Sequence, residues 1–219
     1  MGARHVGDIK ELCDIVHPNV AVITGITFQH LETFGSLENV IKTKSEILKN
    51  FSGDAIISSD NKYCVKIYNE ATCNKCLAGI SSKDGSIVYA KNIKTTQSGS
   101  KFTLVSGDKE VKVSTKLIGE TNVQNILIAS AVAIKLGFTL EEVGNIIPSI
   151  EQIPHRLELK TNQLGVHIID DGYNSNPVGI SQAIKTLKSF SGKKYVVTPG
   201  LIELGHAESG FNYKVGELL

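Results

Sequence analysis

The stretch from Val20 to Lys44, VAVITGITFQHLETFGSLENVIKTK, constrains the fold more than any other part of the chain. Val20, Ala21, Val22 and Ile23 are apolar without alternation, which predicts a strand covered on both faces. Ser36 offers a helix cap, and Leu37, Val40, Ile41, Ile47 and Leu48 recur at helical spacing along one face. A strand buried on both sides and followed directly by a helix belongs to the α/β class. His30 and Glu32 lie between the two elements, at the carboxyl end of the strand, where open α/β sheets gather their ligands.

Lys44 falls inside the apolar stripe of this helix. Two readings stay open from spacing alone. The stem can lie on the core with its ammonium in water. Alternatively, the amine is withdrawn from water and kept neutral, because burial disfavours the charged form. A neutral lysine amine beside a divalent cation can take up carbon dioxide, and the resulting carbamate offers the hard oxygen ligands that Mg²⁺ prefers.

Charge excludes some partners. Lys plus Arg number 23 against 22 for Asp plus Glu, so nothing electrostatic points to nucleic acid or an anionic membrane surface. No apolar run reaches the length of a membrane span and no secretory signal opens the chain, so the expected location is the cytoplasm. Four cysteines include Cys73-Asn-Lys-Cys76, which could be half a zinc site or a redox pair, although free thiols in a reducing compartment account for them. At 219 residues the chain can hold one large domain or parts of two.

Along the rest of the chain, His5 to Leu12 reads as a polar loop entering a short helix. Ala55-Ile56-Ile57 is a short strand, and Lys62 to Asn69 a helix with weak periodicity at Tyr63, Val65 and Tyr68. IVYAKNI, KFTLV and VKVSTKL, separated by QSGS and SGDKE turns, predict a small antiparallel sheet between Ile87 and Leu117. Thr121 with Gln124, and Thr139 with Glu142, each have the spacing of a capping box before an apolar helix. Asn122 and Asn125 share a helix face; they serve as end caps and solvated polar residues, or as an amide pair able to read a purine edge. A domain boundary is expected near Glu151 to Pro154. Beyond it, strands are expected at Leu157–Leu159 and Val166–Asp171, then a helix with Asn176 as cap and Pro177 in its first turn, then a strand at Lys194–Pro199. Strand, helix and strand would form a parallel unit of nucleotide-binding type, with Asp171, Asn174 and Glu203 beyond strand ends. A last helix is expected from Phe211.

Several of these pieces resemble one family. MGARHVGDI, HLETFGS with Lys44 fourteen residues after His30, GETNVQN, HRLE, DDGYNSNP and the ELG of Glu203 to Gly205 are similar to motifs of the Mur ligases, ATP-dependent amide-forming enzymes of peptidoglycan assembly. Within the family they look like the type that adds D-alanyl-D-alanine to UDP-N-acetylmuramoyl-tripeptide, with DDGYNSNP the most type-specific piece. The resemblance implies the latter part of a P-loop-type central ATPase domain with a small antiparallel sheet, residues 1–152. The start of a Rossmann-like C-terminal domain follows, residues 153–219. It also implies roles: His30 as a Mg²⁺ ligand, Lys44 as a carbamylated lysine near metal and γ-phosphate, Asn122 and Asn125 at adenine, Arg156 at phosphates and Asp171 at ribose. Tyr173, Asn174 and Asn176 would line the substrate side. The cofactors implied are ATP and Mg²⁺, and the reaction passes through an acyl phosphate.

The chain also departs from the family. No glycine-rich loop ending in Gly-Lys-Thr is present, so the backbone cradle for ATP phosphates is not in this sequence. Thr121 stands where the family often has histidine. The family places an acidic metal ligand immediately before Met-Gly-Ala-Arg, and here Met1 is the first residue, so the reading is of part of a larger ligase that is inactive alone. The alternatives are a non-catalytic module, or a related amide ligase with another substrate. Edges left unpaired would favour self-association.

Overall fold

The computed structural model describes residues 1–81, 84–173 and 175–219. In chain order, α1 (Asp8–Val16) precedes β1 (Val20–Ile23), the single turn α2 (Leu31–Phe34) and α3 (Leu37–Ser45). There follow β2 (Asp54–Ser58), α4 (Lys62–Glu70), β3 (Asn74–Gly79), β4 (Ser86–Thr96), β5 (Gly99–Ser106) and β6 (Lys109–Thr115). The chain then forms α5 (Glu120–Lys135), α6 (Leu140–Ile146), β7 (Glu158–Thr161), β8 (His167–Asp170), α7 (Pro177–Lys188) and α8 (Glu208–Leu218).

Strands β1 to β6 lie in sequence order in one mixed sheet, parallel from β1 to β4 and antiparallel from β4 to β6. The expected antiparallel ladder is therefore present and continues the parallel strands. Its burial alternates between two helical layers. Ile56, Cys76 and Ala78 point to one face, where Val123, Ile126, Leu127 and Ala131 of α5 and Val143 of α6 cover them. Ala55, Ile57 and Leu77 point to the other, under Val40 of α3 and Cys64 and Ile67 of α4. Both faces of β2 are thus dry, and Ala55, Ile56 and Ile57 are fully buried, which is why that run is uniformly apolar.

Local chemistry accounts for several element starts. Ser36 Oγ accepts from Asn39 N–H at 3.2 Å to cap α3. Thr139 and Glu142 form the expected capping box of α6, and Asn176 Oδ1 accepts from Val178 and Gly179 N–H to cap α7. The Thr121–Gln124 box is not formed: α5 begins two residues earlier, with Gly119 as its cap and no side-chain cap bond. Gly119 has φ +83°, and a Cβ there would lie 2.9 Å from Thr186 Oγ1, so α5 starts where another segment demands a glycine.

Strand β3 carries no strong signal in its sequence, NKCLAG. Its place between β2 and β4 is set by pairing on both sides. The buried face of α4 is Cys64 and Ile67, not the tyrosines and Val65. Cys76 sits inside the sheet with its thiol 3.7 Å from the Ala55 carbonyl, and burial pushes its pKa up. All four cysteines are free thiols, and among the described residues no cluster of metal-ligand type contains one.

Beyond the irregular residues 151–157, β7 and β8 pair antiparallel with each other only. Residues 194–199 form no strand; Tyr195 is 80% and Val197 98% exposed. A strand exists only through its ladder, and neither edge of the β7–β8 pair takes up this segment, so the expected strand–helix–strand unit stops at β8 and α7. This C-terminal part packs onto the rest through two apolar clusters among the described residues. Ile180, Ile184, Leu201, Leu204 and Val215 pack against Phe28 from the loop after β1 and Leu31 of α2, with the Phe28 and Phe211 rings 5.0 Å apart. Leu157 and Phe190 close over Ile118, and Lys185 pairs with Glu120 at 2.7 Å.

Candidate functional site

The loop leaving β1 ends at His30, which caps α2 with φ 50°. His30 Nδ1 is hydrogen-bonded to the carboxylate of Glu203, 173 residues away, and Glu203 has φ 62°. Two non-glycine residues in the left-handed region joined by their side chains is a pattern that packing must enforce, and such strain concentrates at functional sites. Beside the pair runs an open groove of about 530 Å³, lined by Leu31, Glu32 and Gly35 on one side and Leu204 to Ala207 on the other. Thr27 Oγ1, in the same loop, is buried without a hydrogen-bond partner among the described residues.

Lys44 lies on α3, half-buried, with no hydrogen bond or ion pair to another described residue. Burial lowers its pKa below the ordinary lysine value. Only the neutral amine can add carbon dioxide, and burial shifts the balance toward that form.

A second cluster forms where the chain passes from α6 to β7. Arg156 stacks its guanidinium on the Tyr173 ring, 4.1 Å from the centroid. Asp171 accepts from Leu157 N–H at 3.0 Å; burial raises its pKa against that bond and the nearby Arg156 charge. Asn122, in the first turn of α5, donates to the Ile118 carbonyl at 2.9 Å, and Ile118 packs on Leu157. Asn122, Arg156 and Asp171 are therefore linked through two adjacent residues of the same small core. Asn125 is exposed one turn further along α5. Asn176 spends its side-chain oxygen on the α7 cap. Asn174 lies outside the described residues.

His155, Glu158 and Asp170 bring three ligand-type atoms within 4.8 Å of one another, but Lys160 Nζ stands 2.9 Å from both carboxylates and supplies the cation there. The sequence singled out His30 and Glu203 separately but not their pairing, because nothing in the spacing of Glu203 announces a contact across 173 residues. The sequence gives no sign of the His155–Asp170–Lys160 cluster, because it forms only when β7 and β8 pair.

The mixed six-stranded sheet covered by helices on both faces, with an imidazole–carboxylate pair in the loop after β1 and a half-buried lysine on α3, defines an α/β domain. Residues 1–133 match the Mur ligase middle domain, and the chain belongs to the Mur ligase family. Over its whole length it is 33% identical to the UDP-N-acetylmuramoyl-tripeptide--D-alanyl-D-alanine ligase of Haemophilus influenzae, of which it covers 48%. It superposes, again over its whole length, on MurF from Acinetobacter baumannii with a TM-score of 0.90 at 29% identity, covering 48% of that chain. With MurF from Thermotoga maritima in complex with ADP the TM-score is 0.89 at 28% identity, covering all of this chain and 50% of the other. The chain spans about half the length of the curated relatives it matches.

Proposed function

We propose that this chain is the second part of the ATP-handling domain and the first part of the following domain, residues 1–152 and 153–219, of a ligase that joins D-alanyl-D-alanine to UDP-N-acetylmuramoyl-tripeptide in peptidoglycan precursor synthesis. The observation that carries the proposal is the whole-length likeness to an ADP-bound MurF at a TM-score of 0.89. In this reaction the tripeptide's terminal carboxylate takes the γ-phosphoryl group and becomes an acyl phosphate. The amine of the dipeptide adds to that carbonyl, and phosphate leaves from the tetrahedral intermediate. The chemistry asks the protein for positioning and charge neutralisation rather than for a nucleophile of its own.

The residues fit a Mg²⁺ site on their own chemistry. A ligating histidine characteristically gives its other ring N–H to a carboxylate, and Glu203 engages Nδ1 of His30 in this way, so Nε2 would be the atom to hold a cation. Burial favours the neutral amine of Lys44, the form that would add carbon dioxide with release of one proton, so that a carbamate able to hold a cation would replace an ammonium that repels one. Mg²⁺, when bound, neutralises the oxygens crowded at the transferring phosphate. Asn122 and Asn125 take the adenine, Arg156 the phosphates and Asp171 the ribose. Tyr173 and Asn176 serve the substrate side, Asn176 through its amide nitrogen because its oxygen caps α7, and we assign the same role to Asn174, which lies outside the described residues. We place the enzyme in the cytoplasm, where ATP is available; no helix among the described residues is long and apolar enough to cross a membrane.

The test is a chimera in which this chain replaces the matching segment of the Haemophilus influenzae relative. Release of phosphate that depends on ATP, the tripeptide nucleotide and D-alanyl-D-alanine together is expected, and Lys44→Ala in the chimera abolishes it while leaving the circular dichroism unchanged. A folded chimera with no such activity overturns the proposal. The chain alone, without a Gly-Lys-Thr loop, is expected to be inactive and to show no micromolar binding of ATP with Mg²⁺ by titration calorimetry. The exposed 194–199 segment and the β8 edge, with Ile168 48% exposed, favour self-association. Sedimentation velocity that shows monomer alone at every concentration would remove that part.

A further inference from the structure

Residues 155 to 157 make an unusual turn. His155 has φ 61° and Leu157 φ 48°, so two non-glycine residues in the left-handed region flank Arg156. Each N–H of the turn is held: His155 N–H donates to Glu158 at 3.0 Å, Arg156 N–H to the Ile153 carbonyl at 3.1 Å, and Leu157 N–H to Asp171 at 3.0 Å. The His155 carbonyl accepts from Tyr173 N–H at 3.3 Å. One carboxylate ties these strands of contact together. Asp170 Oδ2 lies 2.8 Å from His155 Nδ1 and 2.9 Å from Lys160 Nζ, and Lys160 also reaches Glu158. Lys160 first and His155 second hold the Asp170 carboxyl down to about 2, so it stays charged.

We infer that Asp170, through His155, is a positioning residue for Arg156: it locks the left-handed turn that lays the guanidinium on Tyr173 and brings Leu157 N–H to Asp171. Asp170 itself belongs to β8 and is joined directly to Asp171, so the strand end and the turn are set by the same carboxylate. In an extended or helical conformation at 155–157 the Arg156 side chain would leave the ring, because rotating the backbone about a single residue redirects its side chain. Lys160 fills the place a metal ion would take among His155, Glu158 and Asp170, which assigns the cluster to holding the turn. The step from a held guanidinium to a phosphate-binding one rests on the function proposed above.

The chain has only two arginines, Arg4 and Arg156, so the side-chain Nε–H of each is resolvable by NMR. Arg156 over the Tyr173 ring is expected upfield of the exposed Arg4, and Tyr173→Leu calibrates the ring-current part of that displacement. Asp170→Asn should move the Arg156 signal toward that of Arg4, with the amide signals of α5 and the six-stranded sheet unchanged as the control for folding. Asp170→Glu should restore part of the displacement. An Arg156 signal that Asp170→Asn leaves in place overturns the inference. In the chimera, Asp170→Asn is expected to raise KM for ATP by about tenfold with a smaller change in kcat. If the signal collapses while KM for ATP holds, the role at phosphate is overturned. A chimera inactive before mutation sinks the proposed function while the NMR result still decides the clamp.

Discussion

Lys44 and Asp171 are two residues whose charged forms the fold disfavours, in opposite directions. Desolvation lowers the Lys44 pKa from 10.5, so the folded protein holds this proton more weakly than the unfolded chain does. The charged amine opposes folding below its folded pKa, and the opposition fades as pH climbs toward 10.5. Lys44→Met is therefore expected to raise Tm in neutral buffer and to raise it less in alkaline buffer; an equal gain in both would assign the effect to packing. For Asp171, burial raises the pKa from 3.8, so stability is lost as pH rises through the folded value and the carboxylate ionises. Asp171→Asn keeps an oxygen for Leu157 N–H and removes the charge. It should unfold at equal or higher urea concentration at neutral pH, and a marked loss of stability there would show that the ionised form is favoured by the fold. Lys44 as an anomaly in an apolar stripe was readable from spacing. That no described carboxylate pairs with it was not, since that depends on what α1, α2 and the later segments bring near α3.

At the level of elements, caps whose partners are local were legible and caps set by distant contacts were not. Ser36, Thr139 and Asn176 bond backbone N–H groups two or three residues on, so the motif contains its own partner. Asn176→Ala should cost about 1 kcal/mol in chemical denaturation. Gly119 caps α5 with φ +83° and ψ 148°, and the space for a side chain is taken by Thr186, from α7. Gly119→Ala is expected to cost about 1–3 kcal/mol, the strain of an L-residue in a glycine-only region, and a cost under half of that would mean the backbone relaxes. The Thr121 box pattern misled because the docking of α7 on the start of α5 overrides it. Strand β3 shows the reverse case. NKCLAG lacks the β-branched run of β2, yet it is buried from Cys76 to Gly79 because strands on both sides supply its hydrogen bonds.

Across the whole molecule, the His30–Glu203 contact and the Phe28–Phe211 packing fasten the end of the chain to the loop after β1. A groove between Leu31–Gly35 and Leu204–Ala207 exists only while they are fastened. Removing the carboxylate with Glu203→Ala is expected to raise amide exchange in residues 201–218 by about tenfold while β2 and β3 stay protected. Equal exchange in the variant would mean that the apolar contacts of Leu201, Leu204 and Val215 hold the segment alone.

The sequence by itself determined the α/β class and the positions of most helices and strands, because periodicity, caps and turn residues act within a few positions of one another; the candidates His30, Lys44, Asn122, Arg156 and Asp171 came with the motifs that resemble the family. Tertiary structure alone decided that the antiparallel strands extend the parallel ones and that 194–199 goes unpaired. It also decided that Glu203 meets His30 and that Asp170 braces the turn at Arg156. Each of those is a contact between segments far apart in the chain, whose formation depends on the packing of the elements between them.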